Sequence, residues 1–587
     1  MSAPATPSPA DDDGWRPRDL SPEQLGFTPR SRVPWLAPRL LANTAVRAGL
    51  AVNFGAYLDK RELQGALPAE VHDHDTDGDL WLDYVADLGD GFNATYSVAW
   101  LVAQRELAVK DPEGAEHALP RAQVLVMGGD QVYPTADWRQ YEDRCKGPYR
   151  AALPEQDSHP PTLYALPGNH DWYDGLTAFL RLFGKGEPFG GWQTAQSRSY
   201  FALKLPRRWW LYAIDAQFDA YLDEPQLGYF HEAAKQLQPD DRVILCAARP
   251  TWTHTEDAPH EYDTVDYFIR KIVRPKGAVV SVLLAGDTHH YARYQQAGQP
   301  TLAAGGEPAS SEDNHRERQL ITCGGGGAYL AATHRLPESL VVPPKKSLVH
   351  HASPRRRYEL AARYPDAARS RRYSWSVFLK LPWRNPGFNT LLAGVHTLLL
   401  AAYISAGGGV PWFTVPALVM SAVVLVAAVG FAATDRVGGF RRRHLALGGL
   451  HGVAHLGLGV AGASLWAWLG LESLPTVVRL VLALAIYAPV IGIVASLLVC
   501  LYLQVAHRFG VNVNELYAGQ GIEDAKCFLR LRIGRDGALT IYPIAVDEVS
   551  RKWRAAPEGP WGAPWVAPEH PIKARLAEPP VRVATRS

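Results

Sequence analysis

"LLAGDTHHYARY", Leu283 to Tyr294, is an apolar run that ends in Gly286-Asp287 and carries two histidines, His289 and His290, just beyond. The run reads as a buried strand that delivers small, acidic and imidazole groups to its C-terminal end, where layered α/β domains keep their chemistry. Carboxylate beside imidazole is metal-ligand chemistry. A polar turn holding two histidines would give the same letters. The rest of the chain decides between the two.

Further apolar segments end the same way: "LWLDYVADLGDG", "AQVLVMGGDQVYP", "PTLYALPGNHDWYDG", "WWLYAIDAQ" and "RVILCAARP". Helical stretches lie between several of them, from Ala94 to Ala108 and from Gln226 to Gln236. Buried strands alternating with helices predict a layered α/β domain over residues 71–345. Its strand ends carry Asp87 and Asp90 among glycines, then Asp130 and Tyr133, then Asn169, His170 and Asp171. Taken singly, Gly-Asp is often a turn and Asn-His-Asp a helix cap.

In order, Asp-x-Gly (Asp87), Gly-Asp-x-x-Tyr (Asp130, Tyr133), Gly-Asn-His-Asp (Asn169, His170, Asp171) and Gly-Asp-x-His (Asp287, His289) form a specific set. It resembles the calcineurin-like metallophosphoesterase superfamily. The place of Tyr133 is similar to the purple-acid-phosphatase-like and PhoD-like branches, and "GGGGAYLAATH" (324–334) to a membrane-bound subgroup. The resemblance implies a layered β-sandwich flanked by helices. It also implies hydrolysis of a phosphate mono- or diester by a hydroxide bridging two divalent or trivalent ions, Mn, Fe or Zn, roughly 3.5–4 Å apart. Carried over by motif, Asp87, Tyr133 and His289 would bind the first ion, Asp130 would bridge, and Asn169 and Asp287 would serve the second. His170 would contact the phosphate or protonate the leaving group, with Asp171 orienting it. Two positions depart from the family: Gly89 stands where a histidine is common, and Ala248 stands in "CAARP" where a His-x-Pro histidine is usual. His254, His290 and His334 are the candidate replacements. Asp287, hard and anionic, favours Mn, Mg or Fe.

Beyond the domain, residues 346–386 read as a basic juxtamembrane connector, followed by four apolar segments near 388–406, 411–433, 445–471 and 477–503. A transmembrane helix needs about 20 such residues, so residues 387–506 are expected to cross a membrane as four helices. Arginines crowd the stretch before the first span (Arg355, Arg356, Arg357, Arg369, Arg371, Arg372) and the second connector (Arg436, Arg441, Arg442, Arg443), whereas "SAGGGVPW" has none. This asymmetry places both termini and the α/β domain in the cytoplasm. The absence of a signal-peptide pattern and five scattered cysteines agree with that side. Residues 1–35 read as a disordered tail and 36–70 as a helical lead-in. The C-terminal segment 507–587 holds a hairpin around "GRDG" that is expected to dock on the domain.

Charge excludes one class of partner. With 60 Lys+Arg against 59 Asp+Glu there is no overall basic field for nucleic acid. Lipid-borne phosphoesters and the membrane itself are the partners the arrangement suggests. Two other clusters stand apart. "HDHDTDGDLWLD" (72–83) opens like a calcium loop but ends at Tyr84 instead of a bidentate glutamate, which reads as a solvated acidic loop. His396, His451 and His455 lie in the spans, where they could bind a metal or haem, relay protons, or hydrogen-bond between helices. The alternative to an enzyme is a regulatory or sensor protein whose phosphoesterase site has decayed, with Gly89, Ala248 and Asp287 as its support. A third reading makes the spans primary, as a carrier or redox unit that the domain regulates.

Overall fold

A computed structural model describes residues 21–41, 43, 64–155, 158–216, 222–253, 258–301, 318–349, 351–407, 411–434, 441–556 and 563–583. Two nine-stranded sheets form the centre of the domain. In the first, Leu80–Val85, Val124–Met127 and Thr162–Ala165 run parallel side by side. In the second, Trp209–Ile214, Arg242–Ala247, Val279–Ala285 and Gln319–Cys323 run parallel in that order. Tyr291–Thr301 and Arg355–Tyr364 extend it antiparallel.

Leu82, Tyr84, Val124 and Val126 of the first sheet pack with Leu211, Ile244, Val282, Leu284 and Ile321 of the second in one core. The outer faces are covered too. Val85, Leu125, Met127 and Leu163 share a cluster with the helix Phe92–Ala103. Tyr212, Val243, Leu245 and Leu283 share one with the helices Glu224–Ala233 and Asp263–Phe268. The layers are therefore helix, sheet, sheet, helix. Burial on both faces is why these strands are almost continuously apolar in sequence.

The C-terminal hairpin, Lys526–Ile533 with Leu539–Val546, adds to the first sheet, because Lys526–Ile533 pairs antiparallel with Leu80–Val85. Arg530, fully buried, closes the join by a bidentate pair to Asp83 with both N–O distances at 2.7 Å. A hairpin alone is marginal; as two strands of a large sheet it is part of the core.

Three expectations differ from the structure. The basic connector 346–386 contains the strand Arg355–Tyr364, whose inward residues Arg356, Tyr358 and Tyr364 are buried. Its arginine content masked a period-two pattern. The tail expected to be disordered over 1–35 packs from Ser21 onward, anchored by buried Leu25, Phe27 and Val33. Its Pro-rich composition hid those anchors. The helix expected to reach Ala108 ends at Ala103, and Glu106–Lys110 instead forms a small hairpin with Glu116–Pro120. Most of the lead-in 36–70, and His254, lie outside the described residues.

Among the described residues four helices are long and apolar enough to cross a membrane: Pro386–Ala406, Val415–Ala432, Arg442–Trp468 and Thr476–Arg508. Three buried histidines link the first and third. His396 Nε2 lies 2.9 Å from His455 Nδ1, and His455 Nε2 lies 3.0 Å from His451 Nε2. His451 stacks on Tyr502 of the fourth, with ring centroids 3.9 Å apart. The domain and the bundle are joined without a gap, since Val377, Leu381, Val499, Cys500 and Leu503 belong to the same core as the facing sheets.

Candidate metal centre

The central strands of both sheets end at one place. Asp87 follows Leu80–Val85, Asp130 follows Val124–Met127, and Asp287 and His289 follow Val279–Ala285. All four adopt positive φ, at 59°, 50°, 67° and 38°. Left-handed backbone is uncommon for residues with side chains, and clusters of it mark functional turns. Here it turns each side chain back over the strand ends.

The meeting point is the Tyr133 hydroxyl. It lies 3.0 Å from Asp87 Oδ1, 3.1 Å from Asp130 Oδ2 and 3.0 Å from His289 Nε2. His289 Nε2 is itself 3.7 Å from Asp87 Oδ1. Nitrogen and oxygen ligands about 2.0–2.2 Å from an ion stand about 3 Å from one another, and the phenol oxygen stands at that distance from each of the other three. Among the described residues no three His, Cys, Asp or Glu side chains form such a group by themselves; the phenol completes it. Burial pushes the Asp87 carboxyl well above the usual carboxylate range, and Asp130 and Asp287 push it further. Burial likewise raises Asp130 to about 6 and holds His289 well below an ordinary histidine. Two crowded carboxyls, a phenol and a neutral imidazole fit a cation chemically.

Glycines bring the backbone this close. A Cβ on Gly168 would stand 2.1 Å from Asp130 Oδ1, and one on Gly324 would stand 2.3 Å from Asp87 Oδ2. At Gly89 a Cβ would meet the Gln131 carbonyl oxygen at 2.4 Å, so no histidine fits there. Tyr133 enters from the neighbouring turn instead.

The second position is less complete. Asp287 donates its backbone N–H to Asp87 Oδ2 at 2.8 Å, and its carboxylate lies 3.7 Å from Arg249 Nε. Asn169 Nδ2 faces the Tyr173 hydroxyl at 3.4 Å. Ala248 stands at the site, its Cβ 3.2 Å from where a Gly129 Cβ would be, but it offers no donor. His334 is bonded elsewhere, with Nδ1 2.9 Å from Ser370 Oγ. His290 is buried and lines a neighbouring cavity. The donor types gathered at Tyr133 therefore suit one ion chemically, while at the second position Asn169 faces Tyr173 and the Asp287 carboxylate faces Arg249.

His170 donates its backbone N–H to Asp130 Oδ1 at 2.9 Å, and its Nδ1 lies 2.6 Å from the Pro134 carbonyl oxygen. Burial holds the ring at about 4. Asp171 does not orient this ring, as the sequence suggested. Its Oδ2 accepts from the N–H groups of Gly168 (2.8 Å) and Gln131 (3.3 Å), and its Oδ1 from the Tyr141 hydroxyl at 2.5 Å. The Pro134 carbonyl is simply the nearer partner for His170.

Sequence reasoning missed several neighbours. Trp35 stands edge-on to Tyr133, His170 and Tyr329, at centroid distances of 5.7, 5.9 and 5.3 Å. Asp90 holds it in place, accepting from the Val33 N–H at 2.8 Å and from Trp35 Nε1 at 3.4 Å. Arg249 pairs with Glu261 at 3.0 Å and supplies positive charge beside Asp287. No motif covers Trp35 or Arg249, whereas Asp90 stands in the strand end "VADLGDG" with no sign of its partner. In the acidic loop of 72–83, Asp73 and Asp75 pair with Lys204, and Asp79 with Arg532.

No protein-family model and no curated protein matches the chain. Among solved structures it is similar to GAP50, described as the anchor in the inner membrane complex of Plasmodium, at 12% identity and a TM-score of 0.28, covering 43% of this chain and 74% of that one. It is also similar to the purple acid phosphatase PPD1 from yellow lupin (Lupinus luteus) seeds, at 13% identity and a TM-score of 0.28, covering 47% of this chain and 50% of that one. PhoD matches at 9% identity and a TM-score of 0.27, over 45% of this chain and 59% of PhoD.

Proposed function

We propose that the chain is a membrane-anchored, metal-dependent phosphoesterase whose domain faces the cytoplasm. The observation that carries this reading is the convergence of Asp87, Asp130 and His289 on the Tyr133 hydroxyl, at the ends of the strands where the ordered motifs fall. Asp87, Asp130, Tyr133 and His289 would hold one ion, and Asp130, Asn169 and Asp287 a second. Bound there, such ions polarise a phosphoryl group and supply an activated water.

The chain's own groups do the rest. Asp171 ties the Gly168–Asp171 turn to the turn bearing Asp130, and so fixes His170 relative to the ligands. With Nδ1–H given to Pro134, the neutral His170 ring presents the lone pair of Nε2. Once protonated there, it would give that proton to the leaving oxygen. Trp35 shields the Tyr133 side of the site from water. Basic connectors keep the domain on the cytoplasmic face.

The test is hydrolysis of 4-nitrophenyl phosphate and its bis ester by the full chain in detergent, with Mn or Fe supplied. Turnover is expected, and Asp130→Ala should abolish it. Absence of turnover with every metal would favour the regulatory reading.

A further inference from the structure

The turn Asp287–His290 has two sides. On one, His289 joins the Tyr133 cluster; on the other, Asp287, Thr288 and His290 line a separate cavity of about 270 Å³. A water occupies about 30 Å³ of liquid volume, so the space admits a group several times larger. The cavity lies where domain and bundle meet. Arg249 and Arg335 come from the domain, Arg443 from the first turn of the third span, and Gly510 from just beyond the fourth.

Three guanidinium groups line it against a single carboxylate, Asp287. Arg249 is shared between Glu261 and Asp287. Arg335 donates to the Arg508 carbonyl at 2.8 Å, beside the charge of Arg508 itself. The hydroxyl of Thr288 is buried and has no hydrogen-bond partner among the described residues. Guanidinium forks and a spare hydroxyl are a phosphate's partners. The excess of positive charge suits a dianionic monoester better than a singly charged diester. Arg443 and Gly510 sit at the ends of spans, the depth at which lipid headgroups lie.

We propose that this cavity receives the phosphate of a membrane-borne phosphomonoester, with Arg335 and Arg443 as its counter-charges, beside the Tyr133 cluster and separated from it by the Asp287–His290 turn. The proposal rests on the phosphoesterase reading for its chemistry, but its binding step stands separately. The chemistry recognised is a phosphate monoester, and the source is a lipid instead of a soluble ester.

The experiment measures binding to the full chain in detergent, with phosphatidate in mixed micelles, phosphatidylcholine micelles and inorganic phosphate as probes. Wild type is expected to bind micellar phosphatidate at least about 10-fold more tightly than inorganic phosphate or phosphatidylcholine. Arg335→Gln with Arg443→Gln should erase that preference, while Arg535→Gln, in the exposed hairpin turn, should keep it. If the double variant fails to fold, Arg335→Lys and Arg443→Lys serve, and they should weaken binding while retaining some of it. Equal binding of phosphatidate and inorganic phosphate overturns the lipid assignment. Binding indifferent to the arginines overturns the cavity. Hydrolysis is read in parallel: arginine-dependent binding without turnover refutes the enzyme and spares the cavity, and turnover with arginine-indifferent binding does the reverse.

Discussion

The Tyr133 hydroxyl has one proton and three close partners, Asp87, Asp130 and His289. It can donate to only one carboxylate at a time, so the cluster is not satisfied by its own hydrogen bonds and a cation would relieve it. Tyr133→Phe should therefore fold normally yet lose about 10–100-fold in metal affinity or turnover, the scale seen when a metal's supporting partners are removed. Gly168→Ala makes a complementary test. Its Cβ would press on Asp130 Oδ1, and metal affinity should fall although no ligand is changed. The candidate site residues stood out in the sequence because Gly-Asp and Asn-His-Asp punctuate apolar runs. Partners set by the fold were not. Asp171 is adjacent to His170 in sequence, yet its carboxylate bonds to Gly168, Gln131 and Tyr141. Arg249 sits beside Ala248 with no motif to mark it, and becomes notable only once Asp287 is seen 3.7 Å away.

At the scale of elements, the hairpin Lys526–Ile533 with Leu539–Val546 is held by the buried Arg530–Asp83 pair. Arg530→Met leaves Asp83 as an unpaired buried charge and should destabilise the protein by about 3–5 kcal/mol. Adding Asp83→Leu should recover most of the loss, as read by thermal or denaturant melting. A second prediction concerns acid. His74 Nε2 lies 2.9 Å from the Tyr164 hydroxyl, and burial lowers the histidine from 6.5 to about 4. The folded state disfavours its proton, so its contribution is complete above pH 6.5 and is lost as pH falls from 6.5 to about 4. His74→Gln should flatten melting temperature against pH over that window. The sheet strands could be read from sequence because burial on both faces makes them apolar throughout. The strand Arg355–Tyr364 could not, because its exposed arginines outweighed the alternate tyrosines.

For the whole molecule, the sandwich and the end of the fourth span share one core, so the site is held at a fixed depth from the bundle. The four apolar helices were plain in the sequence because composition alone marks them; how the domain seats on them depends on packing that no local pattern encodes. The proposed orientation is testable with the native cysteines in place, since all five are buried. In intact cells an impermeant maleimide should label Glu472→Cys, between the third and fourth spans, and should not label Arg535→Cys in the hairpin turn. The reverse pattern contradicts the cytoplasmic placement. The central claim is that Asp87, Asp130, Tyr133 and His289 hold a metal ion that the chemistry needs. It is tested most directly by elemental analysis of the purified full chain after loading with Mn or Fe and desalting, alongside Asp130→Ala and Tyr133→Phe. Wild type should retain at least one equivalent and the two variants markedly less; a wild type that retains none, or variants that retain as much, would contradict the account.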